Sequence, residues 1–265
     1  MEEYILAVDT GNTNTVVGLF TENPEHEIVY HWRTVSRRER TSDELGIFIL
    51  GFLQMHGIPG SQIKGCIYSS VLPSFNPIIE RMTRDYFGCE AIRVSTKIKL
   101  PFKIDYPRPE EIGADRLVNA AAGVAMYGGD LIIIDMGTAT TFCVIRDGRY
   151  LGGSIAPGLK LSIEALSRNT AQLPPIEFAR PESGVVGNST IRAIQSGFFF
   201  GWTGILREIR DRIREEYPDR PLRVVATGGL SSLIGREVPE LFDEVDSQLT
   251  LRGLKILYEF QTQAG

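Results

Sequence analysis

The chain has 265 residues, 43% of them hydrophobic and 23% charged, with a net charge of -5. That suits one large domain or two of about 130 residues each, and it argues against a general nucleic-acid binder, which would carry a basic face. Cys66, Cys89 and Cys143 include no CxxC pair, and His26, His31 and His56 lack ligand spacing, so neither a disulfide framework nor a zinc site is signalled. Met-Glu-Glu followed by a short apolar run is neither a signal peptide nor a span, so the expectation is a cytoplasmic protein with no membrane partner.

Strand-like runs open the chain at Tyr4–Val8, Thr15–Phe20 and Ile28–Thr34. The basic run Ser36–Arg40 reads as a solvated loop. Thr41-Ser42-Asp43-Glu44 has the form of a helix start. Leu45, Phe48, Ile49, Phe52 and Leu53 then recur at helical spacing until Gly57-Ile58-Pro59-Gly60 stops the helix. A buried strand is expected at Cys66–Ser69, a helix at Pro77–Phe87 and a strand at Ala91–Val94. The proline-rich stretch Leu100–Arg116 leads into a small-residue helix, Leu117–Met126. After Gly128-Gly129 come strands at Leu131–Asp135, Thr140–Arg146 and Tyr150–Ser154, then helices at Leu159–Leu166 and Ser189–Glu216. A strand at Arg223–Ala226 runs into Thr227-Gly228-Gly229, a short helix follows near Ser231, and Leu251, Leu254, Leu257 and Tyr258 give the last helix its apolar face.

DTGNTNTVVG from Asp9 is echoed by DMGTATTFCV from Asp135. Each follows an apolar run and leads into another, so both halves open with strand, acidic-glycine hairpin and strand, the mark of one duplicated α/β module. A glycine lets backbone approach a ligand closely. Backbone N–H groups with Thr and Asn side chains make a concave set of donors for phosphate oxygens. A carboxylate at the strand end cannot bind phosphate itself, but it can hold a hydrated Mg2+ that bridges to it, because Mg2+ keeps several waters and takes few carboxylates. In VVATGGLSSLI, Val224–Ile234, Gly228-Gly229 admits a flat ligand such as a nucleobase and ribose. In DYPRPEEIGADRLVNAAAG, Asp105–Gly123, Asp115 falls near the first turn of a helix, where the exposed N–H groups favour a carboxylate, and Ala120–Gly123 allow close helix packing.

In this order the three motifs resemble the phosphate-1, phosphate-2 and adenosine segments of the actin, Hsp70 and sugar-kinase superfamily. The resemblance implies an α/β fold of two duplicated ribonuclease-H-like domains, residues 1–116 and 117–265, with ATP in the cleft between them. More specifically, DTGNTNTVVGLF, HWRT, RTSDE, YSSVLP, GADRLVNAAAG, DMGTATTF, LGGSIAPGL, AIQSGFFFG, ATGG and LTLRGL are together similar to the type III pantothenate kinases, over essentially the whole chain. Such enzymes transfer the γ-phosphate of ATP to the primary hydroxyl of pantothenate, the first step towards coenzyme A. They act as homodimers and need K+ or NH4+.

Matched position by position, the resemblance makes Asp9, Thr10, Gly11, Asn12, Thr13, Asn14, Thr15 and Val16 the ATP phosphate loop. It makes Thr138 a further ATP contact and Asp135 the monovalent-cation ligand. Gly113, Ala114, Asp115 and Arg116 become the substrate segment, with Asp115 the proton acceptor, and Tyr106 and Thr190 become substrate contacts. The chain departs from the family pattern in two places. Pro107-Arg108-Pro109-Glu110-Glu111 stands where Asp-Asn-Pro-Arg-Glu is usual, and Cys143 stands where an Asp is frequent.

Phosphoryl transfer asks a protein mainly for positioning and charge stabilisation. A carboxylate with a reference pKa of about 3.9 cannot deprotonate an alcohol before attack. Asp115 is therefore expected to orient the hydroxyl and accept its proton late, and Arg116 to pair with the pantothenate carboxylate or the transferred phosphoryl group. Two other readings fit the superfamily motifs: a kinase for a sugar or a carboxylate, and a non-catalytic nucleotide-binding partner protein. The acid of GADR speaks against the second.

Overall fold

The apolar run at the start of the chain forms strand β1 (Tyr4–Thr10), buried along its length except at Asp9. In this computed structural model, which describes residues 2–21, 27–37, 39–182 and 184–263, β1 is the centre of a five-stranded sheet. It pairs antiparallel with β2 (Asn14–Thr21), which pairs antiparallel with β3 (Ile28–Val35). On its other edge it runs parallel to β4 (Ile63–Ser70), and β4 runs parallel to β5 (Ala91–Arg93). Leu6 and Val8 face a core shared with α1 (Ser42–Met55) and α2 (Asn76–Phe87). The opposite face is covered as well, as a continuous apolar strand demands. Helix α1 starts where the sequence predicts: Thr41 Oγ1 accepts from the Glu44 N–H at 3.1 Å while Glu44 accepts from the Thr41 N–H at 2.8 Å, a capping box.

A two-residue strand, β6 (Lys103–Ile104), precedes α3 (Ala114–Tyr127). Helix α3 begins three residues before the expected Leu117, so that Ala114, Asp115 and Arg116 make up its first turn. The small residues Ala120, Ala121 and Ala122 are fully buried.

A second sheet repeats the plan. β7 (Leu131–Met136) pairs antiparallel with β8 (Ala139–Arg146), which pairs antiparallel with β9 (Arg149–Pro157). After α4 (Leu159–Arg168) and the long α5 (Thr190–Glu216), β10 (Arg223–Thr227) runs parallel to β7. Beyond α6 (Ser231–Glu237), β11 (Glu244–Val245) runs parallel to β10. The order β9-β8-β7-β10-β11 reproduces β3-β2-β1-β4-β5 strand for strand, with the same directions. The duplication inferred from two hairpins therefore extends through both modules. Ile132, Ile134, Phe142 and Val144 pack with Phe199, Trp202 and Leu206 of α5 in the second core.

The chain divides into two compact units, Met1–Tyr127 with Gln248–Gly265, and Gly128–Ser247. A boundary at residues 116 and 117, as expected from sequence, would cut α3 in its first turn. The final helix α7 (Leu249–Thr262) belongs to the first unit, not the second. The reason is packing. Gly253 lies so close to Val118 of α3 that a Cβ would strike its carbonyl, and Thr250 Oγ1 bonds Asn119 Oδ1 at 2.8 Å. Leu254 and Leu257 are fully buried, and Leu251 reaches Gly18 of β2.

Candidate active site

The first hairpin pairs Asp9 with Val16 and Thr10 with Thr15. Its turn closes by the Gly11 N–H donating to the Asn14 carbonyl at 3.0 Å, and β3 ties it from the side. There the Ser36 N–H donates to the Thr13 carbonyl at 3.0 Å, and the Thr15 and Ser36 hydroxyls share a bond of 2.9 Å. A Cβ on Gly11 would meet only the Asn14 carbonyl, at 3.4 Å, an ordinary contact. The turn itself therefore does not require glycine, and its absent side chain leaves space above the backbone. Thr10 Oγ1 is buried without a hydrogen-bond partner, a condition native structures rarely tolerate without a function or a ligand. Asn12 and Thr13 are exposed.

Asp9, next to last in β1, lies directly beside Ser69 of β4. Ser69 Oγ donates to Asp9 Oδ1 at 2.5 Å. Burial pushes the Asp9 carboxyl from 3.8 up to about 6; the Ser69 bond opposes this, and the charge of Asp115 adds to it. The two acids, far apart in sequence, are thus electrostatic neighbours within one unit. Asp115 sits in the first turn of α3, where the Arg116 N–H donates to its Oδ1 at 2.8 Å. Burial also raises the Asp115 carboxyl, while the Arg116 N–H and then the Arg116 guanidinium work to lower it. Gly113 makes this geometry possible: a Cβ there would stand 2.5 Å from Asp115 Oδ1. Arg116 is buried at the same helix start.

Among the described residues, no group of three or more His, Cys, Asp or Glu side chains is placed to hold a metal ion. The lone carboxylate of Asp9 near the end of β1 does fit a cation that keeps most of its own water, as Mg2+ does. His56 stacks on Tyr30 at 3.7 Å, a structural role, while His26 and Arg38 lie outside the described residues. The rest of the basic run is loop, with Arg40 bonded to Thr34 and lying over Phe48.

In the second unit the hairpin pairs Asp135 with Thr141 and Met136 with Thr140. Its tip is held by the Gly137 N–H donating to the Ala139 carbonyl and the Gly158 N–H donating to the Thr138 carbonyl, both at 3.0 Å. Any Cβ on Gly158 would collide with that Thr138 carbonyl. Asp135 lies across from Thr227, the last residue of β10. Gly228 follows with φ +93°, where a Cβ would lie 2.5 Å from Asp135 Oδ1 and 2.6 Å from the Met136 nitrogen. The first glycine of ATGG thus gives Asp135 its room. The hydroxyls of Thr140 and Thr227 are buried without partners. Cys143 lies deeper along β8, its sulfur accepting from the Tyr150 hydroxyl at 3.6 Å, so a buried thiol fills the core at this position.

The remaining expected site residues are placed less tightly. Tyr106 is half-buried in the segment after β6, and the divergent Pro107–Glu111 stretch forms a single turn closed by an exposed Arg108–Glu111 ion pair at 2.8 Å. Thr190 is exposed at the first position of α5, behind its N-cap Ser189. Sequence reasoning missed the supporting residues Ser69 and Gly158. YSSV offers a serine at the end of a buried run, which looks like any strand end.

Two modules that share one strand order, each opening on an acidic hairpin, define the actin, Hsp70 and sugar-kinase fold. An inorganic polyphosphate/ATP-glucomannokinase from Arthrobacter sp. strain KM shares that fold, with a TM-score of 0.51 and 13% identity over 98% of this chain and 99% of its own. Residues 5–212 match the family model described as type III pantothenate kinase. The type III pantothenate kinases of Geobacillus thermodenitrificans (strain NG80-2) and Geobacillus kaustophilus (strain HTA426) are 45% and 44% identical to this chain, each over 98% of both sequences. The chain belongs to the type III pantothenate kinase family. No helix among the described residues is long and apolar enough to cross a membrane.

Proposed function

We propose that this chain phosphorylates pantothenate at the expense of ATP, giving 4'-phosphopantothenate in the first step of coenzyme A biosynthesis. The reading is supported by the charge of Asp115 acting on the Asp9 carboxyl, the first acid lying at a helix start opened by Gly113 and the second in a donor-rich hairpin. Residues Asp9–Val16 hold the phosphates of ATP through backbone and side-chain donors, and Thr138 makes a further ATP contact. Asp9 holds Mg2+ through water and Asp135 holds K+ or NH4+; these cations supply positive charge against the phosphate oxygens.

Asp115 orients the primary hydroxyl and takes its proton as the loose transition state forms. Burial raises its pKa, which makes it a better match for that proton than a solvated aspartate. Arg116 holds a fixed positive charge beside it for the pantothenate carboxylate or the transferred phosphoryl group. Tyr106 and Thr190 bind substrate, and the working form is a cytoplasmic homodimer.

Asp115→Asn tests the central role, with ADP release and labelled pantothenate as readouts and K+ present or absent. General-base catalysis is worth roughly 10²–10⁴-fold, so turnover within about threefold of wild type would sink it. ATP consumption with glucose, glycerol or acetate but not pantothenate would move the substrate assignment to another branch of the fold.

A further inference from the structure

Ser69 has no assigned role, yet it makes the one hydrogen bond recorded for the Asp9 side chain among the described residues. Its side chain is fully buried and its strand position is locked. β4 carries it in parallel register against Asp9, and the next residues are clamped by the Val71 N–H donating to the Thr10 carbonyl at 3.0 Å. Ser70 Oγ adds a turn of its own, donating to the Leu72 carbonyl at 2.9 Å and accepting from the Leu72 N–H at 3.1 Å. The hydroxyl is therefore presented from a strand held on both sides, by β1 and β5.

The terminal torsion of an aspartate is broad and is not fixed by its own rotamer preference. One short bond to Oδ1 selects a single plane for the carboxylate and leaves Oδ2 for another partner. Groups that bond to a ligating carboxylate in this way set its orientation, and their loss typically costs 10–100-fold in metal affinity.

We propose that Ser69 is a positioning residue for the divalent cation: its hydroxyl fixes the Asp9 carboxylate so that Oδ2 faces the cation's water shell. The proposal rests on the reading that Asp9 holds Mg2+ through water. A purely structural hydroxyl, satisfying a buried acid and nothing more, would weaken the fold equally with and without Mg2+.

The two are separated with full-length wild type, Ser69→Ala and Asp9→Asn. The readout is melting temperature in the presence of a non-hydrolysable ATP analogue, in EDTA and across a Mg2+ titration. Ser69→Ala is expected to raise the Mg2+ concentration for half-maximal stabilisation by about tenfold or more, while its EDTA melting temperature stays within a few degrees of wild type. Asp9→Asn should shift the half-point at least as far. If Asp9→Asn shifts it and Ser69→Ala stays within about twofold, the role of Ser69 is overturned while that of Asp9 stands. If neither shifts, the assignment of Mg2+ to Asp9 falls and the proposal with it. An Ala variant that melts more than about 10 °C low in EDTA assigns Ser69 to the fold and overturns the proposal too.

Discussion

Asp9→Asn is expected to make the protein more stable at neutral pH while removing its activity. The substitution keeps the shape of the side chain and an acceptor for Ser69 Oγ, and it deletes the charge. In the folded chain the Asp9 carboxyl titrates at about 6 instead of 3.8, chiefly through burial. A carboxyl raised in this way contributes stability that is complete below its unfolded pKa and is lost as pH climbs through the folded one. At roughly 1.4 kcal/mol per pKa unit, the ionised form costs the fold about 3 kcal/mol near pH 7.5. The asparagine amide must also find a partner, at about 1 kcal/mol or more if it does not. The expected net gain is therefore about 1–3 kcal/mol. Urea titrations in EDTA, run side by side between about pH 4 and pH 8, should show the two proteins converging at the acid end. An Asn variant less stable than wild type near pH 7.5, or a difference that does not change with pH, would refute the electrostatic argument. A gain in stability with a loss of turnover is the trade-off expected where a site holds unfavourable charge for function.

Gly113→Ala places a methyl 2.5 Å from Asp115 Oδ1 and must displace the carboxylate. Turnover should fall by about 10²-fold with little change in melting temperature, since a misplacement near 1 Å costs that much; unchanged kcat would mean that Asp115 is not held by this contact. Gly228→Ala forces a side chain into positive φ against Asp135 and Met136, and should cost about 1–3 kcal/mol. It should also blunt activation by K+; a variant that responds to K+ like wild type would remove Asp135 from the cation site.

The parts legible in the sequence were those in which one residue type has one physical use. Thr41 and Glu44 announced α1 because a capping box satisfies two orphan donors at once. The paired acidic hairpins announced the duplication because an acid, a glycine and small polar residues between buried strands have few other uses. Gly113 and Gly228 were legible as motif members, but their reason was not, because the Cβ clashes involve Asp115 and Asp135 side chains brought near only by the fold. Ser69 was hidden for the same reason: its partner lies on a parallel neighbour, and register between parallel strands is not written in either strand alone. The first unit runs on to Tyr127 because α3, which begins with the substrate motif, has a face shaped for α7 at the other end of the chain, a pairing that neither helix shows by itself. β6 and β11, two residues each, are too short to show any alternation.

The return of α7 to the first unit has a consequence for how the protein is made. Residues 128–247 form a continuous stretch that can close upon itself as soon as it leaves the ribosome, whereas the unit begun first lacks a layer until residues 249–262 follow. Throughout that interval the strip of β1, β2 and β4 awaiting Leu251, Leu254 and Tyr258 stays uncovered. A nascent chain stalled shortly before residue 249 would therefore carry one finished lobe and one sticky one, and a chaperone should hold it by the older half.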